Sequence, residues 1–220
     1  MNDKPILPIV MIGGGGHASV LTDILLEQGR EIVAVISPDD ITQRDVFVGL
    51  TQLLEDADIT EYSPSDVLLV NGIGMMPKSS LREKVGIYFS QLGYRFETVI
   101  APTAHVSSFV SLAEGSQILT QAVVQAGVEI GAHSIINTAA LVEHDCIIGQ
   151  HNHIAPRATL CGHVKTHDNV YVGAGSTVIQ GIELGKGCIV GAGSTIVKDV
   201  DSHTITYAKL NQETKLVGND

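Results

Sequence analysis

Residues 130–159 read IGAHSI INTAAL VEHDCI IGQHNH IAPRAT, five six-residue blocks that each open on Ile or Val and carry Ser, Ala, Cys or Asn at the fifth place. Followed outward in both directions, the beat runs without insertion from Ile100 to Asp201, which is seventeen hexads. The opening residue is Val, Leu or Ile in every hexad except the one starting at Thr166, and the fifth is Ala, Ser, Cys, Val or Ile except at Asn152. A period of six, held this long, predicts a parallel β-helix: each hexad is a short flat strand plus a corner, and three hexads close a triangular coil of eighteen residues. Opening aliphatics fill the prism, and fifth-place residues stay compact because three faces converge there. Gly131, Gly149, Gly173, Gly185 and Gly191, all at the second place, are expected at corners that need unusual dihedrals. Coils stacked at strand spacing lie about 4.8 Å apart. An antiparallel sandwich would instead show irregular spacing, with turn signals every ~8–12 residues.

The first hundred residues follow a different pattern. An apolar run, Ile6–Ile12, leads into Gly13-Gly14-Gly15-Gly16-His17-Ala18 and a helical stretch from Val20 to Gln28 that stops at Gly29. Then come a strand over Ile32–Ile36, a polar loop with Pro38-Asp39-Asp40, a short helix near Leu50–Asp56, a strand over Val67–Val70, a helix over about Ser79–Leu92 and a strand over Phe96–Ile100. Strands alternating with helices predict a small parallel α/β domain, Rossmann-like, over residues 1–98, followed by the β-helix domain and a carboxy-terminal tail over 99–220. Gly13-x-Gly15-x-x-Ala18 follows a strand and opens a helix, so its amides and the helix N-terminus can hold a phosphate. Asp39 lies about 20 residues further on, as the dinucleotide fingerprint asks. The domain is nonetheless too small for a full two-half dinucleotide fold. The loop therefore reads as a cradle for the diphosphate of a nucleotide-linked substrate, ahead of a redox NAD site or a structural turn.

The net charge of −11 argues against non-specific nucleic-acid binding. No segment has the 18 apolar residues of a membrane span, and Met1-Asn2-Asp3-Lys4 does not begin a signal peptide, so a cytoplasmic chain is expected. Of the three cysteines, Cys146 and Cys188 take the small inward fifth place and Cys161 a second place, which is a packing pattern rather than a disulfide or metal pattern.

Six of the nine histidines fall between His133 and His167. Residues 18 apart stack on neighbouring coils, so His133, His151 and Asn169 form one ladder, Asp145 and His163 another, and His144 lies beneath Gly162. Such surface ladders are expected to be rows of solvated side chains, without a closed metal-ligand set. His144, flanked by Glu143 and Asp145, is the candidate general base, because a carboxylate orients an imidazole and raises its basicity. The backbone amide of Gly162 is the candidate oxyanion donor. His153 is half a coil from His144 and projects from the opposite side of the prism. The two can share a site only if prisms associate side by side about a threefold axis.

The GGGGHAS loop joined to hexad repeats, with NTAALVEHDCIIGQHNHIAP at residues 137–156, resembles the NeuD/PglD family of bacterial sugar acetyltransferases over nearly the whole chain. The resemblance implies a left-handed β-helix, a homotrimer, and acetyl-CoA lying in the groove between adjacent prisms, with no metal. It implies His144 as catalytic base tuned by Asp145, His153 beside acetyl-CoA, and acetyl-CoA backbone contacts at Ala174 and Ala192. On the substrate side it implies a nucleotide-sugar site at Gly15, Gly16, His17 and Gly72. Acidic residues that follow the second strand in the family fall here on Ser37 and Pro38, with Asp39 and Asp40 displaced. The family's Gly-Val-Pro-Ala-Lys tail is here Thr206-Tyr207-Ala208-Lys209, without the proline. The implied activity is N-acetylation of a nucleotide-activated amino sugar, specifically a UDP-linked 4-amino-4,6-dideoxy-N-acetylglucosamine. The alternatives are O-acetylation of sialic acid or a related sugar, and a non-catalytic nucleotide-sugar-binding module.

Overall fold

The structure is a computed structural model that describes residues 6–208; Met1–Lys4 and Lys209, both read above, lie outside the described residues. The chain opens with a parallel four-stranded sheet of β1 (Ile9–Ile12), β2 (Ile32–Ile36), β3 (Thr51–Leu53) and β4 (Leu68–Asn71), in the order β3-β2-β1-β4. β1 is central and wholly apolar, with every residue at most 2% exposed, as a parallel strand covered on both faces requires. Helices α1 (Gly16–Glu27) and α2 (Leu81–Gln91) follow β1 and β4. The helix expected near Leu50–Asp56 is not formed. Thr51–Leu53 instead pair in parallel with Ala34–Ile36 and extend the sheet, and a 3-10 turn follows at Asp56–Glu61. The free edge of β2 offers this segment a hydrogen-bond ladder, which outweighs a weak local helical preference.

Beyond β4 the chain bridges Leu69 to Phe96 and then enters the first coil, where Val99–Ile100 pair with Gln117–Ile118. Seventeen two-residue strands recur every six residues from Val99–Ile100 to Thr195–Ile196, all parallel, forming three stacked sheets. Opening-place Ile118, Val124, Ile136, Val142, Ile154, Leu160, Val172 and Val178 are fully buried along the prism axis. Each such burial contributes roughly 1.5–3 kcal/mol. The two exceptions to the pattern satisfy one another inside the prism. Asn152 donates from Nδ2 to Thr166 Oγ1 at 2.5 Å, and its Oδ1 accepts the Val170 N–H at 2.6 Å.

Two expectations are corrected. The left-handed corner residue is the fourth of the hexad, as at Gln121, His133, Ala139, Asp145 and His163, whose φ values lie between 55° and 59°. Second-place glycines answer a different need, close approach: a Cβ on Gly131 would lie 2.5 Å from the Gly149 carbonyl carbon, and one on Gly149 would lie 2.6 Å from that of His167. The beat also fails in its seventeenth hexad. Leu184 bridges to Val200 and Ile189 pairs with Ile205, an offset of 16 in place of 18, and Asp199 turns its Oδ1 to the Glu183 N–H at 2.8 Å.

Of the three prism faces, the seven-stranded sheet is the one that packs on the amino-terminal domain. Its outward residues include Val99, Gln117, Ile135 and His153, all at most 7% exposed. Val99 and Ile135 join Ile9, Met11 and Val70 in one shared core. An Arg30–Glu97 ion pair at 3.0 Å and a Gln28 Nε2 to Ile100 O bond at 2.6 Å fasten the junction.

Candidate active site

The turn after β1 builds the first part of the site. Gly13 takes φ +89°, and Gly14 passes so close to Ser37 and Ile41 that a Cβ there would lie 2.9 Å from Ser37 Oγ and 2.8 Å from Ile41 Cγ2. Gly15 and Gly16 face open space and begin α1, whose first turn has no side-chain cap, so its amides point into solvent. Gly72 lies beneath them: its N–H donates to Ile12 O at 2.7 Å, and a Cβ on it would strike Ala18 and Met11. Gly15, Gly16, His17 and Gly72 thus line one cavity of about 650 Å³, together with Ser37, Pro38, Asp39 and Asp56. That size suits a nucleotide-scale ligand.

The His17 ring turns toward the prism. Its Nε2–H donates to Gln117 Oε1 at 2.9 Å, and the Gln117 amide donates to Asn71 O at 2.8 Å. Because the Gln117 amide nitrogen is already a donor to a carbonyl, its oxygen must be the acceptor, which fixes the His17 tautomer with Nδ1 unprotonated. Burial first, with Arg82 nearby, pushes the His17 pKa down to about 4. Arg82, 4% exposed, donates from Nη1 to Asn71 O and Ile73 O at 2.7 Å and so holds the loop that carries Gly72.

On the prism, His144 and Asp145 project from a corner shared by the five- and six-stranded sheets. His144 Nδ1–H donates to Asp145 Oδ2 at 2.8 Å, which leaves the Nε2 lone pair free. The ring lies against Gly162 of the next coil, where a Cβ would lie 2.6 Å from His144 Nε2. The Gly162 N–H makes no hydrogen bond to another described residue. His153 sits on a different face, beneath the amino-terminal domain and 7% exposed. Its Nδ1–H donates to Met75 O at 3.2 Å, its Nε2 accepts from Asn137 Nδ2 at 2.9 Å, and burial lowers its pKa to about 4. Tyr171 meets the His153 ring edge-on at 5.0 Å and also lines a second cavity of about 390 Å³, with Met75, Lys78 and Lys186. Ala174 and Ala192 are exposed and stacked at the next corner, where the Gly193 N–H donates to Ala174 O at 2.9 Å.

The structure brings the four substrate-side residues into one cavity and pairs His144 with Asp145, while it leaves His144 and His153 on separate sides of the prism. The expected solvated ladder is corrected: His133 and His151 are half-buried and stack at 5.0 Å with Phe96 edge-on to His133, and their buried Nδ1 atoms have no hydrogen-bond partner among the described residues. Gln117, Asn71 and Arg82 escaped the sequence reading. One signal pointed to Gln117, since the other members of its ladder are Val99, Ile135, Tyr171 and Ile189, apolar or aromatic, with His153 the one further polar member. The open five-stranded sheet carries Ser111, Glu129, Lys165 and Glu183 in the same places, with Ile147 its one apolar member.

Residues 8–86 match the family described as PglD N-terminal domain, and residues 163–198 match the bacterial transferase hexapeptide repeat. No curated protein sequence matches the chain. Among solved structures, PerB from Caulobacter crescentus in complex with CoA and GDP-perosamine is 31% identical, with a TM-score of 0.82, over 93% of this chain and 95% of that one. The acetyltransferase domain of PglB from Neisseria gonorrhoeae, in complex with acetyl coenzyme A, is 28% identical with a TM-score of 0.82, over 93% of this chain and 97% of that one. WeeI from Acinetobacter baumannii, 22% identical with a TM-score of 0.80 over 92% of this chain and 97% of that one, shares the fold. The small parallel α/β domain followed by a left-handed β-helix defines an acyltransferase that uses acetyl-CoA as co-substrate. The chain belongs to the NeuD/PglD family of sugar acetyltransferases.

Proposed function

We propose that this protein transfers the acetyl group of acetyl-CoA to the amino group of a nucleotide-activated amino sugar. The observation that carries the reading is the His144 pair: an exposed imidazole whose Nδ1 is engaged by Asp145 and whose free Nε2 lies against Gly162 of the next coil. Nε2 takes the proton from the amine as it attacks the thioester carbonyl, Asp145 stabilises the imidazolium, and the Gly162 N–H receives the developing oxyanion. The nucleotide occupies the cavity over Gly15, Gly16 and Gly72, its diphosphate on the uncapped amides of α1. His17, neutral and fixed by Gln117, offers its Nδ1 as an acceptor to the substrate. Ala174 and Ala192 line the acetyl-CoA path, with His153 buried beside it against Tyr171. His144 and His153 occupy separate sides of one prism, which supports a trimer in which each groove combines the His144 corner of one subunit with the Ala174 corner of its neighbour.

For the sugar, the proposal is a UDP-linked 4-amino-4,6-dideoxy-N-acetylglucosamine. The relative PerB carries GDP-perosamine. Asp39 and Asp56 on the cavity wall can accept from an N–H edge of either uracil or guanine. Assaying UDP-, GDP- and dTDP-amino sugars decides the base. His144→Ala in the folded protein should lower kcat by about 10²–10⁴, and an unchanged kcat would rule out His144 as the base.

A further inference from the structure

The corner that carries His144 has a second feature that the acetyl-transfer reading leaves unused. Its fourth-place ladder runs Gly127, Asp145, His163, Gly181, all held at positive φ between 58° and 77°, so Asp145 and His163 project side by side from consecutive coils. Gly127 and Gly181 carry no side chain, which leaves the ladder open above and below. Asp145 Oδ2 lies 2.8 Å from His144 Nδ1 and 3.7 Å from His163 Nε2, and the two imidazoles meet edge-on at 5.2 Å. One donor atom from each of His144, Asp145 and His163 falls within a span of 4.8 Å. In the single chain all three side chains are more than half exposed, and in the proposed trimer they face the groove, through which an ion can reach them and complete its coordination with water.

We propose that His144, Asp145 and His163 form a zinc site, and that its occupancy switches the catalytic base off. Two imidazoles and one carboxylate are the donor set Zn²⁺ prefers, at about 2.0–2.2 Å per ligand. Ligands that close to a tetrahedral ion stand about 3.3 Å apart, and modest side-chain rotations bring the present separations to that value. The inhibition follows from the proton count on His144. The neutral ring holds one proton, now on Nδ1. An ion on Nδ1 displaces it to Nε2, which then has no lone pair for the amine; an ion on Nε2 occupies that lone pair directly. Asp145, drawn to the metal, no longer stabilises an imidazolium. The inhibitory half rests on His144 being the base, whereas the metal site itself does not.

His163→Asn tests the site while leaving both members of the proposed catalytic pair in place, and the fold tolerates the change because Asn169 holds the same fourth place one hexad later with φ 61°. Titration of the full chain with CoCl₂ should produce the visible d–d absorption of Co²⁺ in a nitrogen–oxygen site, and ZnCl₂ should abolish it. In parallel, Zn²⁺ should inhibit acetyl transfer, with recovery on adding EDTA. His163→Asn should keep its basal kcat and KM and require about tenfold or more additional Zn²⁺ for either effect. Absence of a cobalt spectrum in the unmodified chain, or equal metal affinity in His163→Asn, overturns the site. Cobalt bound through His163 while transfer stays indifferent to Zn²⁺ overturns the inhibitory half. A chain that binds cobalt through His163 but transfers no acetyl group upholds the site and refutes the reading of the enzyme instead.

Discussion

Gly162→Ala separates the geometry of the base from the stability of the fold. A Cβ at this position would lie 2.6 Å from His144 Nε2 and 2.7 Å from Cε1, whereas ordinary van der Waals contact begins at 3.4 Å, so the ring must retreat by about 0.8 Å. It can do so freely, because the His144 side chain is 56% exposed and its displacement breaks no core packing. Gly162 is not held at positive φ, so alanine brings no backbone strain there. Stability should therefore be preserved or slightly raised by the less flexible unfolded chain. Catalysis should not be preserved: a misplacement near 1 Å costs up to about 10²-fold in rate, or about 2.7 kcal/mol of transition-state stabilisation. Initial rates of thiol release from acetyl-CoA with the accepted amino sugar give kcat, and differential scanning calorimetry gives Tm. The expected outcome is a fall in kcat toward about one hundredth, with KM for both substrates and Tm little changed. An unchanged kcat in the folded variant would show that the contact of His144 with Gly162 does not define the reacting geometry.

Gly16 faces open space, so Gly16→Val should leave Tm intact, raise KM for the sugar nucleotide and spare KM for acetyl-CoA; equal rises in both would refute its place in the cavity. Asn152→Ala strips the buried Val170 N–H of its partner and Thr166 Oγ1 of one of its two, the Gly149 N–H remaining, and should cost about 2–4 kcal/mol by urea denaturation. His17, His133 and His153 are each held neutral by burial, with pKa about 4 in the fold against 6.5 for the free group. The unfolded chain therefore binds the extra protons between those values, so stability is full above about pH 6.5 and declines as pH falls toward 4. Calorimetry at stepped pH should show that decline, and His133→Gln should reduce its slope; a flat profile over this window would contradict the burial of these rings.

The hexad beat determined the prism by itself, because inward and outward positions alternate so regularly that every sixth residue must meet the same environment. The same arithmetic placed His144 under Gly162 and Asp145 beside His163, since residues 18 apart occupy equivalent points on adjacent coils. The glycine run likewise marked a strand-to-helix turn with free amides. Local pattern failed wherever a distant partner decided. β3 formed because β2 left an edge open, and the last corner shortened because Asp199 found the Glu183 amide. The His133–His151 ladder is half-buried because Phe96 and α2 pack beside it. His17 turned toward the prism because Gln117, a hundred residues on, supplies the acceptor that its buried ring requires. A side chain's own sequence records its chemistry, but burial and hydrogen-bond partners across 100 residues arise only when the two domains dock, and that docking set the neutral state of His17 and His153.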